Sequence, residues 1–97
     1  MAEDSKVKIE KFDGSDYGFW RMQIEDVLYQ KNLHLPMLGQ QPDDMYDDDW
    51  KLIDRQALGV VRLSLSKNVA YNVMKETTTS GALKALSNMY ETPSASN

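Results

Sequence analysis

Apolar residues recur with a helical period along most of this chain. From Tyr17 to about Gln30, Trp20, Ile24, Val27 and Leu28 follow the i, i+4, i+7, i+8 spacing of one buried helix face. Ser15 or Asp16 supplies the natural N-cap, through a side-chain oxygen that accepts from an amide of the first turn. Gly18 costs that turn about 1 kcal/mol relative to alanine, so packing must hold it. Pro36 disfavours helix at Leu35 and closes the element near Leu33-His34-Leu35-Pro36. Before this helix, Lys6-Val7-Lys8-Ile9-Glu10-Lys11-Phe12 alternates charged and apolar residues. A period of two turns Val7 and Ile9, with Phe12 at the end of the run, toward a surface. A short strand or extended arm fits that pattern, and so does a flexible tail. Asp13-Gly14 then breaks it with turn chemistry.

Residues 36–47 hold Pro36, Gly39 and Pro42 and read as a loop. A second helix is predicted from about Asp49 to Leu65, with Trp50, Ile53, Ala57, Val60, Val61 and Leu65 at helical spacing. Ser66 can cap a short third helix carrying Val69, Val73 and Met74, and Thr79 or Ser80 a fourth with Leu83, Leu86, Met89 and Tyr90 as its buried stripe. The predicted fold is all-α, a small bundle of about four helices preceded by a short extended N-terminal arm. The expected core is Trp20, Ile24, Trp50, Ala57, Val61, Leu65, Leu83, Leu86 and Tyr90, with the rings of Trp20 and Trp50 able to meet. The domain is predicted over residues 7–91, after a disordered lead over 1–6 and before a small-residue linker or chain end over 92–97.

Ninety-seven residues amount to one domain and one modest core, with roughly 60–70% of the unfolded surface buried and little room for a deep active site. The formal net charge is −4, from 15 acids against 11 bases. Nucleic-acid binding depends on lysine and arginine displacing counterions from phosphates, so this segment is not expected to bind nucleic acid directly. No apolar run is long enough for a membrane span, so no membrane partner is expected. The polar N-terminus lacks an apolar signal region, and there is no cysteine to form a disulfide, a thiolate nucleophile or a cysteine zinc site. A cytoplasmic location is the expectation.

Candidate chemistry is thin. Asp43, Asp44, Asp47, Asp48 and Asp49 lack the alternating ligands, central glycine and terminal glutamate of a calcium-binding EF-hand loop. They fit better as acids favouring the positive end of the following helix. His34, the one histidine, has no nameable nucleophile or orienting partner and fits a capping role at the carbonyl end of the first helix. No phosphate-binding glycine loop is present. The chain is expected to be neither an enzyme nor a cofactor or metal binder.

Four short motifs give the chain its character. The opening run Phe12 to Met22 spells Phe-x-Gly-x-x-Tyr-x-x-Trp-x-Met. Trp50, Asp54 and Ala57 make Trp-x-x-x-Asp-x-x-Ala, and Arg62-Leu63-Ser64-Leu65-Ser66 is followed by Val69 and Val73. Thr78-Thr79-Ser80 then leads into Leu83, Leu86 and Tyr90. In this order, over residues 7–91, they resemble the N-terminal capsid region of the Gag polyprotein of plant copia-type LTR retrotransposons. Leu83 replaces the tryptophan usual in that family, and Thr79 the alanine.

The resemblance implies a helical capsid N-terminal-like domain that self-associates through Gag–Gag contacts in virus-like particles. A domesticated Gag-like adaptor, binding a peptide or protein ligand in a groove between helices, is the alternative it leaves open. The candidate interaction residues are Val7, Ile9 and Phe12 on the arm, with Tyr17 and Phe19 at the start of the first helix.

Overall fold

The computed structural model describes residues 9–91, so Val7, the expected lead over 1–6 and the linker over 92–97 lie outside the described residues. Five helices follow in order: α1 (Tyr17–Gln30), α2 (His34–Leu38), α3 (Asp47–Leu63), α4 (Lys67–Asn72) and α5 (Thr79–Tyr90). Among the described residues there is no strand, only an isolated parallel bridge between Phe12 and Leu65. The chain is a small all-helical bundle in which α2, α3 and α5 pack on one another and α1 lies against α2 and α3.

Helix α1 buries Trp20, Ile24 and Leu28 of the face its periodicity marks, with Tyr17 beside them, while Val27 is half-buried. Its start departs from expectation. Asp16 occupies the N-cap position in the left-handed conformation (φ 58°) and neither it nor Ser15 caps the helix with its side chain. Instead the Asp13 carboxylate accepts from the Ser15 amide at 3.0 Å and the Ser15 hydroxyl at 2.7 Å. The turn is thus stabilised one step earlier in the chain than a cap would act. The other end of α1 closes through Asn32 (φ 61°), with Leu33 N–H donating to the Leu28 carbonyl at 2.8 Å and Asn32 N–H to Tyr29 at 3.1 Å. This pair of bonds satisfies carbonyls the helix would otherwise orphan, and it delivers Leu33 into the core.

Helix α2 occupies part of the predicted loop. Pro36 is its third residue, still in the first turn, where a missing N–H removes no helical hydrogen bond. His34 therefore begins α2 rather than capping α1, and its ring stacks on Tyr29 with centroids 4.6 Å apart.

Helix α3 starts at Asp47 and ends at Leu63, two residues earlier at each end than its apolar spacing predicts. Its N-cap, Tyr46, offers no side-chain bond, and Asp47, Asp48 and Asp49 in the first turn supply the favourable charge instead. Ser66 caps α4 as expected, whereas α5 is capped by Thr78, one residue before the predicted position, through its hydroxyl to Gly81 N–H at 3.0 Å.

Trp20, Ile24, Ala57, Val61, Leu65, Leu83 and Leu86 are core residues as expected, joined by Phe12, Tyr17, Leu28, Leu33, Met37, Val69 and Val73. Tyr90 is half-buried against this cluster, while Met89, expected in the same buried stripe, is exposed because it falls on the outer side of α5. Trp50 is a correction: it is half-buried outside the cluster, and its ring does not meet Trp20. Trp20 stacks on Phe12 instead, at 4.9 Å between centroids.

Candidate interaction surface

The extended segment before α1 is pinned to the turn between α3 and α4. Phe12 N–H donates to the Ser64 carbonyl at 2.8 Å, and Ser66 N–H donates back to the Phe12 carbonyl at 2.9 Å. Lys11 Nζ caps the end of α3 by donating to the Leu63 carbonyl at 2.8 Å. The Trp20 indole N–H reaches the Ser64 hydroxyl at 3.1 Å, and that hydroxyl donates to the Val61 carbonyl at 2.6 Å. Ser64 thus uses both its side chain and its carbonyl to fasten the arm and α1 to α3.

Around this fastening four aromatic rings interlock. Phe12 meets Tyr17 edge-on at 5.9 Å and Tyr90 edge-on at 5.2 Å, while Tyr17 tilts against Trp20 at 5.8 Å. Such edge and offset contacts favour ring pairs beyond their area burial. The Tyr90 hydroxyl accepts from Asn72 Nδ2 at 2.8 Å, tying α5 to the end of α4. Gly14, at φ 104°, lies so close that a Cβ would stand 3.2 Å from the Tyr90 ring.

The motif residues elsewhere do similar work. Asp54 Oδ1 accepts the Thr79 N–H at 2.9 Å, and the Thr79 hydroxyl donates to the Asp54 carbonyl at 2.9 Å, so α3 caps the buried start of α5. Arg62 Nη2 donates to the Glu76 carbonyl at 3.1 Å. These residues knit the bundle together and point inward.

That arrangement sorts the five candidate contact residues. Phe12 (3% exposed) and Tyr17 (7%) belong to the core, Ile9 is half-buried against it, Phe19 is 54% exposed, and Val7 lies outside the described residues. The structure brings Phe12 and Tyr17 together as packing partners, each with a small remaining edge toward the surface.

Other apolar side chains also stand on the surface. Met22 and Tyr29 are exposed on α1 along with Phe19, and Leu52 and Leu63 are exposed on α3. At about 100° per residue, Leu52, Gln56, Gly59 and Leu63 fall within roughly 60° of one another around the α3 axis. That spacing is itself readable, since Leu52 and Leu63 fall off the stripe of Ile53, Ala57, Val60 and Val61.

Two depressions flank the arm. One of about 570 Å³ is lined by residues including Gly14, Tyr17, Arg21, Tyr90 and Glu91, and one of about 240 Å³ lies between Lys11 and Asp13 of the arm and Phe19 and Gln23 of α1. At the first, burial works against the charge on Arg21, but the Tyr17 hydroxyl at 2.9 Å and the Glu25 carboxylate at 2.8 Å more than offset it and raise its pKa. Asp13, at the edge of the second, is held below the usual carboxylate range by the Ser15 hydroxyl and then the Ser15 amide. Both depressions are open, suited to a segment laid across them rather than to an enclosed reaction. His34 keeps a buried Nδ1 without a hydrogen-bond partner among the described residues. Among the described residues no group of three or more His, Cys, Asp or Glu side chains could hold a metal ion, and no helix is long and apolar enough to cross a membrane.

The chain is 34% identical over 96 residues to a Retrovirus-related Pol polyprotein from transposon TNT 1-94 of Nicotiana tabacum. This chain is a distant relative of a plant retrotransposon polyprotein. The similarity spans 95% of the chain but 7% of the polyprotein. No protein-family model matches the chain, and no solved structure matches it. The chain is therefore a small helical module related to one short stretch of a much longer polyprotein.

Proposed function

We propose that this module is a Gag-type structural unit that self-associates, as the N-terminal part of a capsid subunit does, in the assembly of retrotransposon virus-like particles. The observation that carries the reading is the relation to a retrotransposon polyprotein over 95% of the chain, combined with where the motif residues sit. Phe12, Trp20, Asp54, Ser64, Thr79 and Tyr90 are spent on the fold itself. A rigid body with apolar residues left on its faces is what repeated weak contacts need, because closed symmetry sums many small interactions. Such a role requires no catalytic centre and is exercised in the cytoplasm. Phe19 and the arm at Ile9 remain candidate contacts, with Phe12 and Tyr17 acting through the position they give the arm.

The adaptor reading has one feature in its favour, the 570 Å³ depression between the starts of α1 and the end of α5, which would seat an extended peptide against Tyr17 and Tyr90. Light scattering on the purified chain across a wide concentration range separates the readings. The Gag-type reading expects the mean mass to climb with concentration above the 11.1 kDa of one chain. A mass fixed at one chain up to millimolar concentration would sink it and leave the adaptor.

A further inference from the structure

We propose that the exposed face of α3 is a two-fold interface between copies of this chain, with the two α3 helices antiparallel and Leu52 of one copy against Leu63 of the other. The inference rests on the self-association reading and names its surface. Leu52 is 58% exposed and Leu63 is 75% exposed, on the same side of a 17-residue helix. Gln56 and Gly59 lie between them, so a two-fold axis passing between Gln56 and Gly59 exchanges Leu52 with Leu63 and Gln56 with Gly59. Side chains of this kind, self-complementary about an axis, are what an isologous contact requires.

Charge fixes the direction. The first turn of α3 carries Asp47, Asp48 and Asp49, all exposed, with Asp48 on the Leu52 side of the helix. The far end carries Lys11, whose exposed ammonium sits on the Leu63 carbonyl at 2.8 Å. Antiparallel pairing brings the acidic end of each helix to the lysine end of the other, twice per dimer. Parallel pairing would set three aspartates against three.

Gly59 gives an independent reason for a partner. Glycine inside a helix is unfavourable relative to alanine, and nothing within the fold requires it here. A Cβ at Gly59 would meet only the flexible tip of Arg55, at 3.4 Å. A bare backbone at that point lets a second helix approach closely opposite Gln56.

The chain has no cysteine, so single introduced thiols report on neighbours without background. Leu52→Cys and Leu63→Cys chains, each exposed and each checked for native circular dichroism, are mixed and mildly oxidised at a concentration where the mass exceeds one chain. The mixed Leu52→Cys/Leu63→Cys disulfide is expected at least tenfold over either self-disulfide. In the antiparallel dimer, identical positions are separated by roughly eleven residues of helix, about 16 Å, beyond disulfide reach. Asp48→Lys and Lys11→Glu should each weaken association at least fivefold and largely restore it when combined in one chain. Self-disulfides equal to the mixed species, or no disulfide while association persists, would overturn this interface and leave the Gag-type reading standing. Absence of association at every concentration would overturn both.

Discussion

Ser64 is the residue on which most of the fastening converges. It is 5% exposed, accepts the Trp20 indole N–H, and lends its carbonyl to Phe12. Ser64→Ala keeps the backbone bond but leaves the buried indole N–H without its partner, a loss of about 1–3 kcal/mol. Urea denaturation followed by tryptophan fluorescence measures that loss directly. Gly14→Ala acts through the backbone. With φ at 104° and the Tyr90 ring 3.2 Å from the added carbon, it should cost about 1–2 kcal/mol in the same assay. Asp13 provides a pH signature. Its folded-state pKa is depressed, so the stability it contributes is present above its ordinary value of 3.8 and is lost as pH falls through the lower folded value. Ser15→Ala should move the Asp13 carboxyl titration upward toward 3.8, followed by NMR, with no change in the fold at neutral pH.

At the scale of elements, α3 and α5 are joined by a cap that crosses between helices. Asp54→Ala removes the acceptor of the buried Thr79 N–H and should destabilise the chain by about 1–2 kcal/mol, with amide exchange accelerated first at the start of α5. The long helices were legible because their apolar stripes repeat over many residues, and Ser66 capping α4 followed from its place before an apolar run. Helix α2 was not. Five residues hold too little periodicity to register, and Pro36 reads as a breaker unless it falls within a first turn, as it does. The arm was half-legible: Ile9 and Phe12 do face a surface, but that surface is the bundle's own core, with the Phe12 ring among Tyr17, Trp20 and Tyr90. Alternation along an extended segment marks a residue as buried without saying by what, so Phe12 reads as a contact and is core; Tyr17, at the start of α1, joins it there. Trp50 erred the other way, because a large ring at helical spacing marks a face without showing how deeply that end of the helix is buried.

At the scale of the whole molecule, most residues of the four motifs are spent inside the bundle, with Met22 and Leu63 left exposed. The buried ones explain why the bundle forms, and the proposed association falls to the outward faces. Leu63 and Ser64 stand side by side at that boundary, one 75% exposed and the other buried. Leu63→Gln removes surface apolar area and should change stability by no more than about 0.5 kcal/mol. The most direct test is sedimentation equilibrium of wild-type and Leu63→Gln chains from micromolar to millimolar concentration. The wild-type mass should rise above 11.1 kDa with concentration while Leu63→Gln stays at the mass of one chain. A wild-type chain that remains at 11.1 kDa throughout would contradict the account. So would a Leu63→Gln chain that associates as strongly as wild type.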